Sequence, residues 1–108
     1  MKITRISELG EKGSKACLIG VVIHSIENFM VLEDGTGRAR IYTDYPQGYG
    51  VNSVLLVVGR VISDEGEIKE VWAEAVVDLS GIDLRLLKRA LELEEELEEL
   101  EKAIERGV

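Results

Sequence analysis

The sequence is poor in the residues that build disulfides, metal sites and histidine-based active sites. Its 108 residues include one cysteine, Cys17, and one histidine, His24. A single cysteine excludes an internal disulfide and a cysteine-rich zinc site. No nucleophile–base pair, phosphate-binding loop or metal-ligand cluster is evident either. We therefore expect no metal, no cofactor and no enzymatic activity.

Long apolar runs are also missing. None approaches the roughly 18 to 20 residues needed to cross a bilayer, and the start of the chain, MKITRISELGEKG, lacks the apolar stretch of a signal peptide. We expect a cytoplasmic protein of a prokaryotic or archaeal-like cell with no membrane partner. Apolar residues at 45% and charged residues at 31% predict a folded globular domain.

Basic residues are outnumbered, and the charge is uneven along the chain. The formal net charge is −8, from 13 basic and 21 acidic side chains. Residues 1–81 hold eight basic and twelve acidic side chains, whereas residues 82–108 hold five and nine. Because phosphates attract basic partners, the total argues against nucleic acid. Half of the excess, however, lies in the last quarter of the chain.

Five segments have the composition and alternation of β-strands. β-branched residues are dense in the first and fourth, Asp34-Gly35 and Gly37 supply turn residues for a hairpin, and residues 44–53 form a long loop. Gly20 and Gly59 interrupt the first and fourth segments, where a bulge or bend is expected. In the fifth segment, alternation points Val71, Ala73, Ala75 and Val77 to one face. The predicted strands are Lys15–Ile26, Phe29–Leu32, Arg38–Thr43, Val54–Ser63 and Ile68–Leu79.

The period changes at residue 82, where a helix is predicted. From Leu86 to Ile104, apolar residues follow one another at intervals of 4, 3, 4, 3 and 4 residues. This spacing is a heptad seam typical of coiled coils. Ser80 or Asp83 can cap the helix, and Gly107 can end it. We expect this helix to bind partner subunits through Leu86, Leu93, Leu97, Leu100 and Ile104, although folding back onto its own domain is the alternative.

These elements predict an all-β fold: a five-stranded OB-fold Greek-key barrel, followed by a long C-terminal amphipathic α-helix. Mid-strand glycines let a long strand bend across both sides of such a small barrel. The predicted division is residues 1–81 for the barrel and 82–108 for the assembly helix. An SH3-like barrel is the less suitable alternative, because it has shorter strands and no long helix after it.

Two stretches carry a family resemblance. LIGVVIHSIENFMVLEDGTGRARIY and VLLVVGRVISDEGEIKEVWAEAVVDLS resemble the OB domains of the replication protein A family, especially its middle and small subunits in eukaryotes and archaea. The resemblance covers roughly residues 15–105. It implies binding of single-stranded DNA and a C-terminal helix that packs with sister subunits. The DGTG hairpin also occurs in OB domains that bind tRNA.

Basic and aromatic side chains mark a candidate nucleic-acid surface. Arg38, Arg40 and Tyr42 share one face of the third strand, where an OB barrel binds ligands. Arginines hold the backbone of a single strand and aromatic rings stack on its bases. The alternative is that these are solvent-facing residues, with the arginines paired to Glu33 or Glu27.

Four further residues are candidates for the same surface. Trp72 shares a face with Glu70 and Glu74, so it either stacks on a base or packs under the helix or a partner. Tyr45 and Tyr49 either close over a nucleotide or cover the barrel end. Arg60 and Lys15 either add contacts to the nucleic-acid backbone or are plain surface charges, and for Lys15 we favour the second interpretation. Phe29 is expected in the core.

The leading hypothesis is a small OB-fold subunit of a replication protein A-like complex that binds single-stranded DNA in replication or repair. The lone subunit would bind weakly, and its helix would join sister OB-fold subunits or a second copy of itself. The alternatives are a protein-only assembly or adaptor subunit and an OB-fold protein that binds tRNA or another RNA.

Overall fold

Five strands close into a barrel in this computed structural model, which describes residues 2–44 and 48–105. The strands follow the order β1-β2-β3-β5-β4 around the barrel. All neighbours are antiparallel except β3 and β5, which run parallel. This order confirms the predicted five-stranded OB-type barrel. The bounds are β1 Lys15–Ile26, β2 Phe29–Glu33, β3 Arg38–Tyr42, β4 Val54–Ser63 and β5 Lys69–Asp78.

Alternation along the short strands separates the core from the outer surface. Met30 and Leu32 of β2 and Ile41 of β3 are fully buried, and the residues between them face outward. Each such side chain contributes roughly 1.5–3 kcal/mol through burial. The core therefore sets which side chains of β2 and β3 reach a ligand.

The alternation of β5 reverses halfway along the strand. Val71 and Ala73 are buried as predicted, but Ala75 and Val77 are exposed, and Val76 packs against the core instead. The ladder with β4 slips at this point, since Val58 pairs with Ala75 and Gly59 with Ala73. A bulge adds one residue to β5, so the prediction that Ala75 and Val77 share the inner face is wrong.

A lead-in segment docks against the barrel core before β1 begins. It contains a 3-10 helix, Ile6–Glu8, and buries Ile6 and Leu9 in the core. The β2–β3 turn holds it, because the Ile6 N–H donates to Asp34 Oδ2 at 2.8 Å. The Lys69 ammonium also donates to the carbonyl oxygen of Leu9.

The C-terminal helix α1 spans Leu84–Glu105, a length of 22 residues. Asp83 caps it, since the N–H of Arg85 donates to Asp83 Oδ1 at 2.9 Å. The predicted long helix over 82–108 overstates this element, because residues 79–83 form a turn after β5. Gly107, the predicted stop, lies outside the described residues. The predicted division at Gly81 falls in that turn.

Within residues 2–44 and 48–105, no helix is both long and apolar enough to span a membrane.

Candidate nucleic-acid interface

A row of side chains crosses the outer face of the barrel at right angles to the strands. Register places Phe29 of β2 beside Tyr42 of β3, Tyr42 beside Trp72 of β5, and Trp72 beside Arg60 of β4. All four are partly or largely exposed. We call Phe29, Tyr42, Trp72 and Arg60 the transverse row. Three neighbouring aromatic rings and a guanidinium are groups that bind single-stranded nucleic acid.

Phe29 belongs to this row and not to the core, so its expected burial is wrong. Because Met30 and Leu32 occupy the inner face of β2, a period of two forces Phe29 outward. The apolar run Phe29–Leu32 obscured this alternation, since a continuous run does not reveal which residues face inward.

Two rings of the row, those of Phe29 and Tyr42, contact each other, and Arg40 contacts the Phe29 ring. The ring centroids of Phe29 and Tyr42 lie 5.6 Å apart at an angle of 49°. The guanidinium carbon of Arg40 lies 5.1 Å from the Phe29 ring centroid, within cation–π range. The Nε atom of Arg40 is buried and has no hydrogen-bond partner in the described part of the chain. Arg40 therefore packs against the Phe29 ring on the outer face of the barrel.

Each arginine of the candidate surface faces a glutamate. The alternative of a Glu33 partner holds for Arg38, whereas Arg40 pairs with Glu70 across the β3–β5 ladder and Arg60 pairs with Glu74. These charges nearly cancel, so the face has little net attraction for phosphate. The nitrogen–oxygen distances are 3.3 Å for Arg38–Glu33, 3.7 Å for Arg40–Glu70 and 3.4 Å for Arg60–Glu74.

Trp72 is the most exposed aromatic side chain described. Its relative accessibility is 42%, in the middle of the transverse row between Tyr42 and Arg60. Because Trp72 adjoins Tyr42, the exposed indole is part of a contiguous apolar patch, which is typical of a binding surface. The two predicted possibilities, stacking on a base and packing beneath a partner, both use this open face.

Of the two loop tyrosines, the structure describes Tyr49. Tyr49 is half-buried and packs against the barrel core, which favours the expectation that it covers the barrel end. Tyr45 lies outside the described residues. Asp34 has the predicted turn role, because its carboxylate accepts hydrogen bonds from Thr36. Gly35 follows with a φ of 88°, a conformation that glycine permits.

The heptad seam of α1 is open to solvent. Its described large apolar side chains are between 43% and 69% exposed, whereas Glu95 of the same helix lines a pocket with residues 2–5 of the lead-in segment. Apolar side chains at this spacing on one helix face are a surface suited to a partner helix. They are Leu86, Leu93, Leu97, Leu100 and Ile104.

The single cysteine and the single histidine both lie in β1. Cys17 is buried in β1, and His24 is an exposed strand residue. Among the described residues, no group of three or more histidine, cysteine or acidic side chains is placed to hold a metal ion.

Solved structures share this fold at low sequence identity. Telomere capping protein Ten1 from Saccharomyces pombe is 18% identical with a TM-score of 0.67, covering 88% of this chain and 97% of that one. The S. pombe Stn1–Ten1 complex gives 20% identity and a TM-score of 0.65, with 88% and 91% covered. U. maydis replication protein A bound to single-stranded DNA gives 18% and 0.62, with 93% and 94% covered.

An archaeal protein also has this fold. The replication factor A-related protein from Methanobacterium thermoautotrophicum is 16% identical with a TM-score of 0.61, covering 76% of this chain and 94% of that one. No family model and no curated protein matches the sequence. The similarity thus confirms the fold expected from the replication protein A resemblance.

Proposed function

We propose that this protein binds single-stranded nucleic acid through the transverse row, as a small subunit of a replication protein A-like complex in DNA replication or repair. The row carries the proposal, because Phe29, Tyr42 and Trp72 present three adjacent rings on the outer face of an OB barrel. Stacking on such rings is worth roughly 1–3 kcal/mol per base and tolerates any sequence. The fold is that of a replication protein A solved with single-stranded DNA.

Binding by the lone subunit is weak under this proposal. The arginines of the face already contact glutamates, and the chain carries a net charge of −8. A phosphate must compete with each carboxylate for its arginine, and added salt weakens the attraction between phosphate and arginine further. Assembly with sister OB-fold subunits in the cytoplasm would supply the remaining contacts, with the exposed seam of α1 as the joint. The Stn1–Ten1 complex shows two different chains assembling in a related fold.

Fluorescence anisotropy with labelled oligo-dT at low and high salt tests the proposal. Trp72→Ala is expected to weaken binding about 5- to 150-fold, the equivalent of one lost stacking contact. Tyr42→Ala and Phe29→Ala should each weaken it in the same direction. Trp72 is also the only tryptophan, so its fluorescence reports directly on the row.

Val77→Ala is the matched control, because Val77 is exposed on the same strand beyond the bulge. It should bind as the wild type does. No binding at low salt, either alone or with cognate subunits, rules the proposal out and leaves the protein-only adaptor. Competition between RNA and single-stranded DNA of equal length distinguishes an RNA-binding protein, for which RNA would compete better.

A further inference from the structure

A groove beside the transverse row gathers positive charge in an otherwise acidic protein. Lys2, Lys15 and Arg60 line it together with Glu74. Three cations and one carboxylate leave it with a formal charge of about +2, while the whole chain has −8. We call Lys2, Lys15, Arg60 and Glu74, with the backbone between them, the basic groove.

The two lysines differ from the arginines of the candidate surface, each of which contacts a glutamate. Within residues 2–44 and 48–105, neither Lys2 nor Lys15 forms a salt bridge, and both are exposed. Arg60 is held in place, since its guanidinium contacts Glu74 and donates to the carbonyl oxygen of Gly13 at 3.3 Å. The groove thus offers two exposed ammonium groups next to one fixed guanidinium, and Lys2 also lines a neighbouring pocket together with Glu8 and Glu95.

The basic groove continues the line of the transverse row. Lys15 of β1 pairs directly with Arg60 of β4, which pairs with Trp72 of β5. Neighbouring strands lie about 4.8 Å apart, so Phe29 and Arg60 are separated by about 14 Å and Phe29 and Lys15 by about 19 Å. Aromatic rings therefore occupy one end of a continuous track, and free positive charge occupies the other.

We propose that the basic groove is a phosphate-binding extension of the nucleic-acid site, so that a single strand crosses the barrel from β2 towards β1, over the strands and not along them. Bases stack on the aromatic end, and the sugar–phosphate backbone leaves through Lys15 and Lys2. This rests on the proposed function, because it assigns a path to the same ligand. A polyanion without bases would engage the groove alone.

Anisotropy with two lengths of oligo-dT, of about 3 nucleotides, one for each ring of the row, and about 15 nucleotides, tests the path. The double variant K2E/K15E should weaken binding of the longer oligonucleotide at least about tenfold and lower its salt slope by about two. The shorter one, which fills only the aromatic end, should lose little. R85E/K102E is the control, because it changes the net charge equally on the exposed face of α1.

Glu74→Gln provides a test that misfolding cannot mimic. Removing this carboxylate frees Arg60 and should tighten binding of the longer oligonucleotide several-fold. Unchanged or weaker binding by this variant contradicts the inference. Thermal melting of every variant confirms that the barrel is intact.

The outcomes separate the path from the function. If Trp72→Ala weakens both oligonucleotides while K2E/K15E matches R85E/K102E, the path is wrong and the proposed function stands. If the wild type binds neither oligonucleotide at low salt, both are wrong. If K2E/K15E weakens binding and Trp72→Ala does not, the groove holds the ligand and the aromatic row does not.

Discussion

Asp34, in the β2–β3 turn, joins this turn to the lead-in segment. Its carboxylate accepts hydrogen bonds from the Ile6 N–H, the Thr36 N–H and the Thr36 hydroxyl. Partial burial alone would raise the pKa of Asp34, but these hydrogen bonds, strongest from the Thr36 hydroxyl, outweigh it and lower the pKa below 3.8. The charged form is therefore bound more tightly in the folded protein.

The sign of this shift gives a pH dependence. A lowered pKa means that Asp34 stabilises the fold above its unfolded pKa of about 3.9, and the contribution is lost as pH falls through the lower folded value. Asp34→Asn should cost about 1 kcal/mol at pH 7, because a charged hydrogen-bond acceptor is lost. The difference in unfolding free energy from wild type should shrink near pH 3, which lies below the unfolded pKa of about 3.9.

Urea unfolding at both pH values measures the effect. Asp64→Asn, in an exposed turn, is the control and should unfold as the wild type does at each pH. A deficit in Asp34→Asn that stays constant down to acid pH would contradict the role of the charge.

Single residues show how far the sequence could predict the site. The alternation of β3 placed Arg38, Arg40 and Tyr42 on the outer face, where the structure has them. The salt bridge between Arg40 and Glu70 depends on which strands are neighbours, and the parallel β3–β5 ladder joins residues 30 positions apart. Spacing along one strand carries no information about that partner.

At the scale of an element, β4 depends on Gly59. A Cβ at this position would lie 1.8 Å from the carbonyl oxygen of Trp72, where the β4–β5 ladder slips. The glycine therefore permits the close approach of the two backbones that accompanies the bulge. The sequence located this irregularity correctly at Gly59, yet the extra residue sits on the partner strand, and that reverses the alternation of β5.

Gly59→Ala should destabilise the barrel strongly. Relieving a contact with backbone atoms requires movement of a whole strand, which we expect to cost about 3 kcal/mol. Differential scanning calorimetry should then show a melting temperature lower by about 10 °C or more. Gly50→Ala is the control, since an added Cβ there meets nothing within 4 Å. A melting temperature equal to that of the control would show that the strands part without strain.

At the scale of the whole molecule, the barrel and the helix present different kinds of exposed surface. The barrel offers the transverse row and the basic groove, whereas α1 offers only an apolar seam bordered by glutamates. The molecule is 52 Å along its longest axis and 22 Å along its shortest. Separate surfaces allow one subunit to hold a partner and a nucleic acid at the same time.

Association through the helix is testable by light scattering. We expect the full chain, alone or with cognate subunits, to associate, and a chain ending after Leu79 to lose association while keeping its barrel core. Leu97→Glu should act in the same way, because it places a charge in the exposed seam. Lys102→Gln, an equal change of charge away from the seam, should not. Association that survives both the truncation and Leu97→Glu would place the partner surface on the barrel.

The docking of the lead-in segment has a consequence for the order of folding. The β2–β3 hairpin forms from contacts close in sequence, but Ile6 reaches its acceptor across 28 residues and Leu9 reaches Lys69 across 60. Local contacts form early because closing a short loop costs less chain entropy. These two contacts can form only once the β2–β3 turn and the start of β5 exist, so we expect the lead-in to dock late. Its contacts would therefore slow unfolding without speeding folding.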